Sequence, residues 1–434
     1  MKKLFYGLYI IIALLSFIPI SKIPLIKIAP INLILYLTII LLSFFIHELK
    51  ECLSSVIVIF LLIFLAYSLY DFGLNYFKSE YTVNIFANFR RVILVILTIF
   101  IARREAGFKF AFKVILIMIT ISTFFSIFIH LFGEPFKSVR DLILFNTEAI
   151  SLGKGERIAG FAASIFAFSY QITSAVVMAY GIYLAERKLH WIFFFGLLTL
   201  GLILNGERSS ALMSVSCLIF MLLFNDRKKL IQIAFIVLPV IFTTFLVLNF
   251  SQPQGNHLNS NEQTLLNRLG EQIEGEFTGR VLQQLAGVVV TLKNPIYGGT
   301  DKAYQKELFI LQSWLKRKKH FVVKLSFKEY PAPHNHYVNI GMHAGVTGLA
   351  MFILFFILLL KIISQFQENT RTNPNMRFYY LTTVYALFAV LGNAIFHNNG
   401  IFFGEITSWF LVGLVCAGSV ARVRNQNRKT RNEP

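Results

Sequence analysis

Long apolar runs separated by short polar turns set the organisation of the chain. The runs fall at 4 to 20, 28 to 46, 53 to 70, 83 to 101, 110 to 131, 158 to 184, 189 to 205, 209 to 224, 230 to 250, 337 to 360, 377 to 396 and 401 to 420. Each has roughly the 17 to 25 residues that a helix needs to cross a bilayer. They are continuous, which argues against the ten-residue alternating segments of an outer-membrane barrel. The pattern predicts an all-α polytopic membrane protein with about twelve transmembrane helices. One long polar stretch interrupts it, so the expected organisation is 1–250 carrying helices one to nine, a large loop at 251–335, helices ten to twelve in 336–420, and a basic tail at 421–434.

Composition agrees with this class. The 434 residues are 56% hydrophobic with 46 Phe and a mean hydropathy of +0.64, well above the apolar share of about 45 to 50% in soluble domains. The first run follows Lys2 and Lys3 like a signal peptide, but no small-x-small cleavage site follows Ile20, and it is read as a span. Charge then orients the chain. With a cytoplasmic N-terminus, nineteen Lys and Arg lie inside and eight in the short outside loops, which places both termini in the cytoplasm and 251–335 outside. The net charge of +19 is thus mainly a topology signal; it gives no support to nucleic-acid binding, and the tail from Arg422 to Arg431 suits anionic lipid headgroups. Cys52, Cys217 and Cys416 lie in or beside spans and suggest neither a disulfide framework nor a metal site. No His-Glu-x-x-His, Walker loop or nucleophile elbow is present, so no metal or cofactor is expected.

Candidate chemistry gathers on the outer side. Arg157 precedes the sixth run and has Glu156 beside it as a pairing partner, while Arg208 opens the eighth run in an outside hairpin where the charge rule gives it no reason to be. Arg280 begins an amphipathic helix over 279 to 292, with Val281, Leu282, Leu285, Val288, Val289 and Leu292 on the apolar face, ended by Lys293-Asn294-Pro295. A second helix is expected over 304 to 314, followed by the basic cluster Lys316 to His320, which suits either a solvated face or an anionic glycolipid. His334 follows Pro331-Ala332-Pro333, and Asn335 is a good N-cap for a helix starting at His336. The dipole of that helix would disfavour imidazolium and leave His334 a neutral base; the same residues also suit an interfacial histidine beside an ordinary cap. Intramembrane charge is expected at Arg90, Arg91 and Glu405, the two arginines serving either phosphate contact or a structural ion pair.

Guanidinium groups grip phosphate oxygens through paired, charge-assisted hydrogen bonds, and a neutral His can take the proton of a hydroxyl. Arg157, Arg208, Arg280 and His334 together suit glycosyl transfer from a lipid-pyrophosphate donor. Such a donor stores the free energy of transfer, so no ATP site is required.

At this level of detail the chain resembles the bacterial O-antigen ligase family of the O-antigen ligase/polymerase superfamily. His334-Asn335, nine residues, Gly345, two residues and Gly348 is similar to the ligase signature, and Arg208 with Leu212 to the Arg-x-x-x-Leu element. Glu156-Arg157-Ile158, Gly279-Arg280 and the twelve-span layout with one large loop also resemble their counterparts. The resemblance implies a GT-C-like glycosyltransferase of the inner membrane with its active site facing the periplasm. It would move polysaccharide from undecaprenyl pyrophosphate to a lipid A-core sugar, independently of metal and ATP and with inversion. His334 would be the base; Arg157, Arg208 and Arg280 would hold the donor pyrophosphate, with Arg90 and Arg91 as further lipid-phosphate contacts. An O-antigen polymerase, extending undecaprenyl-linked glycan, shares the donor and the layout, and a transporter of lipid-linked sugars is the reading from another class. The expected partners are the lipid-linked glycan, the lipid A-core and membrane lipids.

Overall fold

The structure is a computed structural model that describes residues 2–17, 30–78, 85–144, 157–162, 164–225, 273–317, 333–372, 376–398, 400–402 and 406–431. Among these the chain is all-helical, with α1 (Lys2–Phe17), α2 (Pro30–Ser43), α3 (Ile46–Lys50), α4 (Ser55–Phe77), α5 (Ile85–Ala102), α6 (Glu105–Phe132), α7 (Phe136–Leu144), α8 (Ile165–Glu186), α9 (Leu189–Asn205), α10 (Arg208–Asn225), α11 (Ile273–Lys293), α12 (Asp301–Arg317), α13 (His336–Thr372), α14 (Arg377–Asn393) and α15 (Thr407–Arg431). Each expected span falls on a helix except 230 to 250, which lies outside the described residues, as do most of the polar lead-in to α11, Glu156, Glu405 and part of the basic cluster. Five helices among the described residues are long and apolar enough to cross a membrane: Ser55–Phe77, Glu105–Phe132, Ile165–Glu186, His336–Phe366 and Arg377–Phe396.

α8 is the centre of the bundle. Its Ser169, Thr173, Ser174, Ala175, Ala179 and Gly181 are small enough for neighbours to approach closely, and all are buried. The hydroxyls satisfy themselves on their own helix: Thr173 donates to the Ser169 carbonyl at 2.6 Å and Ser174 to that of Gln171 at 2.8 Å. α14, α9 and α10 pack around it. A second layer joins α4, α13 and α15 through rings, with Phe64 at 4.2 Å from Trp409, Phe60 at 4.3 Å from Phe355 and Tyr67 at 4.5 Å from Phe402. One end of α8 is tied by Glu186, whose carboxylate takes Lys113 at 2.6 Å, the Trp191 indole at 2.9 Å and the Tyr379 hydroxyl, joining α6, α9 and α14.

Three elements depart from the expectation. α8 starts at Ile165, not 158, because residues 157–162 form a turn over Gly160 (φ 59°) that is held by side chains. α4 runs on to Phe77, which adds buried Asp71 to the intramembrane charges; Asn75 donates to its carboxylate at 3.2 Å. The face of α11 is also reversed. Leu282, Gln283, Ala286 and Val290 are buried, whereas Val281, Leu285, Val288 and Leu292 are exposed. Small residues make the tight contact: a Cβ on Gly287 would lie 2.6 Å from Val338 of α13. Close approach through small residues, rather than hydrophobicity, decides which side of this helix packs.

α13 explains the spacing from His334 to Gly348. Asn335 caps it as expected, its Oδ1 accepting from the Tyr337 N–H at 3.0 Å and the Val338 N–H at 3.2 Å. The helix is broken at Gly345, whose φ of 65° and ψ of −163° belong to a region essentially reserved for glycine. The freed backbone groups are taken by residues 295–299. Val346 N–H donates to the Pro295 carbonyl at 2.6 Å, and Gly299 N–H to that of Met342 at 2.7 Å. Tyr70 donates to the Ile296 carbonyl at 2.8 Å, and Lys78 Nζ to Tyr297, Gly299 and His343 carbonyls at 2.6, 3.0 and 2.8 Å. Gly348 then lies one turn on, beneath Ala344 and Tyr67.

A Cβ on Gly345 would lie 2.5 Å from the Pro295 carbonyl oxygen. Gly345→Ala is therefore expected to cost at least about 1 to 3 kcal/mol and lower the melting temperature in detergent, whereas Gly7→Ala, in open space on α1, leaves it unchanged or slightly raised. Asn335→Ala should cost about 0.5 to 2 kcal/mol, and Asn335→Ser, which restores a capping oxygen, should recover most of it in the same measurement.

Candidate functional site

The site is built from turns rather than helix faces. Arg157 sits in an extended stretch before Gly160, only 5% exposed. Its Nε donates to the Asn205 carbonyl at 2.7 Å and its Nη2 to the Glu207 carboxylate, which is equally buried. Asn205 ends α9, and Gly206, with φ of 73°, turns the chain into α10. The Asn205 amide returns the contact, donating to the Ile158 carbonyl at 2.8 Å and to that of Ile165 at 3.2 Å. Arg208, the first residue of α10, is thus carried on a turn locked to the one that carries Arg157.

Arg140 of α7 fixes the other side of that first turn. Fully buried, it donates from Nε to the Gly160 carbonyl at 3.0 Å and from Nη2 to that of Ala162 at 3.5 Å. Burial lowers its pKa, and Asp141 at 3.3 Å opposes the shift. Ser122 accepts the Phe161 N–H at 2.9 Å, completing the support of the turn.

The segment 397–402, between α14 and α15, links this cluster to the start of α13. His397 is buried, with Nε2 3.0 Å from Ser209 Oγ and 3.6 Å from Glu207 Oε2. Its neighbour Asn398 offers a carbonyl 3.2 Å from His336 Nδ1, and the Phe402 N–H donates to His336 Nε2 at 3.4 Å. The Phe402 ring is wedged among Tyr67, Phe64, Phe352 and Phe355, so the loop is anchored by packing as well. Arg91 of α5 closes the far side, donating to the Phe402 carbonyl at 2.8 Å and to the Asn88 side chain. One loop therefore touches both Ser209, next to Arg208, and His336, two residues after His334.

The expected site residues are distributed as follows. Arg157 and Arg208 share one cluster, and Arg157 pairs with Glu207. His334 is partly buried just before the Asn335 cap of α13, and His336, two residues on, meets the Asn398 carbonyl. Arg280 belongs to α11, seven residues or about 10 Å along the axis from Gly287, where that helix meets Val338 and Pro333; its side chain is outside the described residues. Arg91 is engaged with Phe402 and Asn88 beneath His336, and Arg90, partly buried, lies about 100° around the same helix. Glu207, His397, Arg140 and Phe402 are additions that local pattern did not point to. Glu207 adjoins Arg208 in the hairpin, the one signal available; His397 and Phe402 sit at the ends of apolar runs, where nothing in the pattern marks them.

Chemically, the turns assemble guanidinium, carboxylate, imidazole and hydroxyl groups at one end of the bundle, with a capped histidine beside them. No curated protein matches the chain. A family model described as O-antigen ligase matches residues 192–353, a stretch holding Arg208, Arg280, His334, Gly345 and Gly348 but neither Arg157 nor His397. Through that segment, which contains the broken helix and the turn of Arg208, the chain is similar to the O-antigen ligase family.

Proposed function

We propose that this protein is an O-antigen ligase, which transfers a polysaccharide from undecaprenyl pyrophosphate to a sugar hydroxyl of a lipid A-core at the periplasmic face of the inner membrane. The observation that supports the reading is the pair of contacts made by His397 and Asn398, the first on Ser209 beside Arg208 and the second on His336, two residues after His334. In the reaction, His334 takes the proton of the acceptor hydroxyl as its oxygen attacks the anomeric carbon. The bond to the pyrophosphate breaks with its electron pair moving to the phosphate oxygen, and Arg157, Arg208 and Arg280 stabilise that developing charge. Attack opposite the leaving group inverts the anomeric centre. The donor supplies the free energy, so no nucleotide is consumed.

The deciding experiment is reconstitution in liposomes with an undecaprenyl-pyrophosphate-linked glycan and lipid A-core. Glycan on the core, formed without nucleotide and in the presence of EDTA, supports the ligase. Longer undecaprenyl-linked chains with unmodified core would instead mark a polymerase, and glycan moved across the bilayer unchanged a transporter. His334→Ala should lower turnover by about 10² to 10⁴-fold with donor binding kept. Wild-type kcat should fall as pH drops through the ionisation of His334, because the protonated imidazole no longer acts as a base. Arg280→Lys should remain as impaired as Arg280→Ala, since a point charge does not reproduce the planar fork; full activity in the Lys variant would show that positive potential alone is required.

A further inference from the structure

His397 holds a position that base and phosphate-gripping arginines do not account for. Its Nε2 faces the Ser209 hydroxyl at 3.0 Å and the Glu207 carboxylate at 3.6 Å, and the other face of Glu207 carries Arg157. One buried carboxylate thus stands between a permanent cation and a titratable one. The groups seen around His397 come from several elements. α8 contributes the rings of Phe166 and Tyr170, with centroids at 5.2 and 5.8 Å. The α9–α10 turn contributes Glu207 and Ser209, which flank Arg208 in sequence, and the turn at 157 contributes Arg157 through Glu207. Along its own segment, Asn398 and Phe402 lead to His336 and Arg91, with His334 two residues before His336.

We infer that His397 is a positioning residue of the donor-phosphate site, a titratable second partner of Glu207 that sets how much positive charge Arg157 presents to the donor. The inference rests on the reading that Arg157 and Arg208 hold donor phosphate. With His397 neutral, Glu207 cancels Arg157 and the trio of Arg157, Glu207 and His397 carries no net charge. With His397 protonated, Glu207 is shared between two cations and the trio carries one net positive charge, at hydrogen-bond distance from the residue that adjoins Arg208. The donor is a doubly esterified pyrophosphate, with no oxygen that titrates near neutrality. A change in its affinity with pH therefore reports the protein. The sign is fixed: donor affinity is higher below the ionisation of His397 and falls as pH rises through it. The kcat limb assigned to His334 runs the other way, so the two histidines separate in kinetics.

The test measures donor KM and kcat for the reconstituted full-length protein between about pH 5.5 and 8.5, the span around an ordinary imidazole. Wild type is expected to show donor KM rising about three- to tenfold with pH, the size of a unit charge near phosphate after screening. His397→Gln, which keeps a polar side chain near Ser209, should show a flat donor KM while the fall of kcat at low pH persists. His397→Asn serves the same purpose if the Gln variant fails to fold, as judged by its melting temperature. A wild-type donor KM that is flat across the range overturns the inference without any variant. Arg157→Ala separates the layers. If it raises donor KM while His397→Gln keeps the wild-type trend, the role of His397 alone falls; if it leaves donor KM unchanged, the donor-site reading falls and takes this inference with it.

Discussion

A backbone carbonyl buried away from water must find a donor, and in a membrane-embedded bundle the protein itself has to supply it. Here three irregular segments lie among the helices, and each is held by one long cationic side chain. Arg140 takes the Gly160 and Ala162 carbonyls, Lys78 takes those of Tyr297, Gly299 and His343, and Arg91 takes that of Phe402. Each cation reaches more than one group with a single charge, so its burial is offset by several charge-assisted bonds. These three side chains help make the irregular backbone of the turns tolerable away from water. The Arg157–Glu207 pair extends the same device by adding a carboxylate, which leaves a site whose charge is nearly balanced before any ligand arrives.

The same constraint explains which parts of the architecture could be read from the chain. Helices and their order follow from apolar runs, because every backbone bond in a helix is local. The Asn335 cap is local too, and it was legible for that reason. Arg91, Arg157 and Arg208 were visible as cations that called for partners, but the partners were not visible: the Phe402 carbonyl lies 311 residues from Arg91, and Glu207 lies 50 from Arg157. His397 carries no local signal at all, being one imidazole between two apolar runs. The orientation of α11 failed for a different reason. Small residues let one side of α11 approach α13 closely, so that side packs although the apolar row of Val281, Leu285, Val288 and Leu292 stays exposed.

The extent of the family match sharpens this division. Residues 192–353 hold the signature from His334 to Gly348 and the hairpin with Arg208, yet the groups that position them, Arg157, Arg140, Arg91, His397 and Phe402, all lie outside it. The chemistry-bearing segment is thus braced by helices before and after it. The Glu186 knot fixes one end of α8 and its neighbours.

The break at Gly345 also has a mechanical meaning. A continuous helix from His336 to Thr372 would be a lever, so any tilt imposed on its lipid-facing part would swing the residues at its start. Val346, Ile353, Leu354, Ile357 and Leu360 are exposed along that part, and a helix of this kind tilts as bilayer thickness varies. Interrupting the hydrogen-bond ladder puts the bend at Gly345, while the short piece from His336 to Ala344 stays bolted to 295–299, Lys78 and Tyr70. The histidine-bearing end is thereby insulated from the elasticity of the surrounding membrane, and a signature glycine acts as a flexural joint.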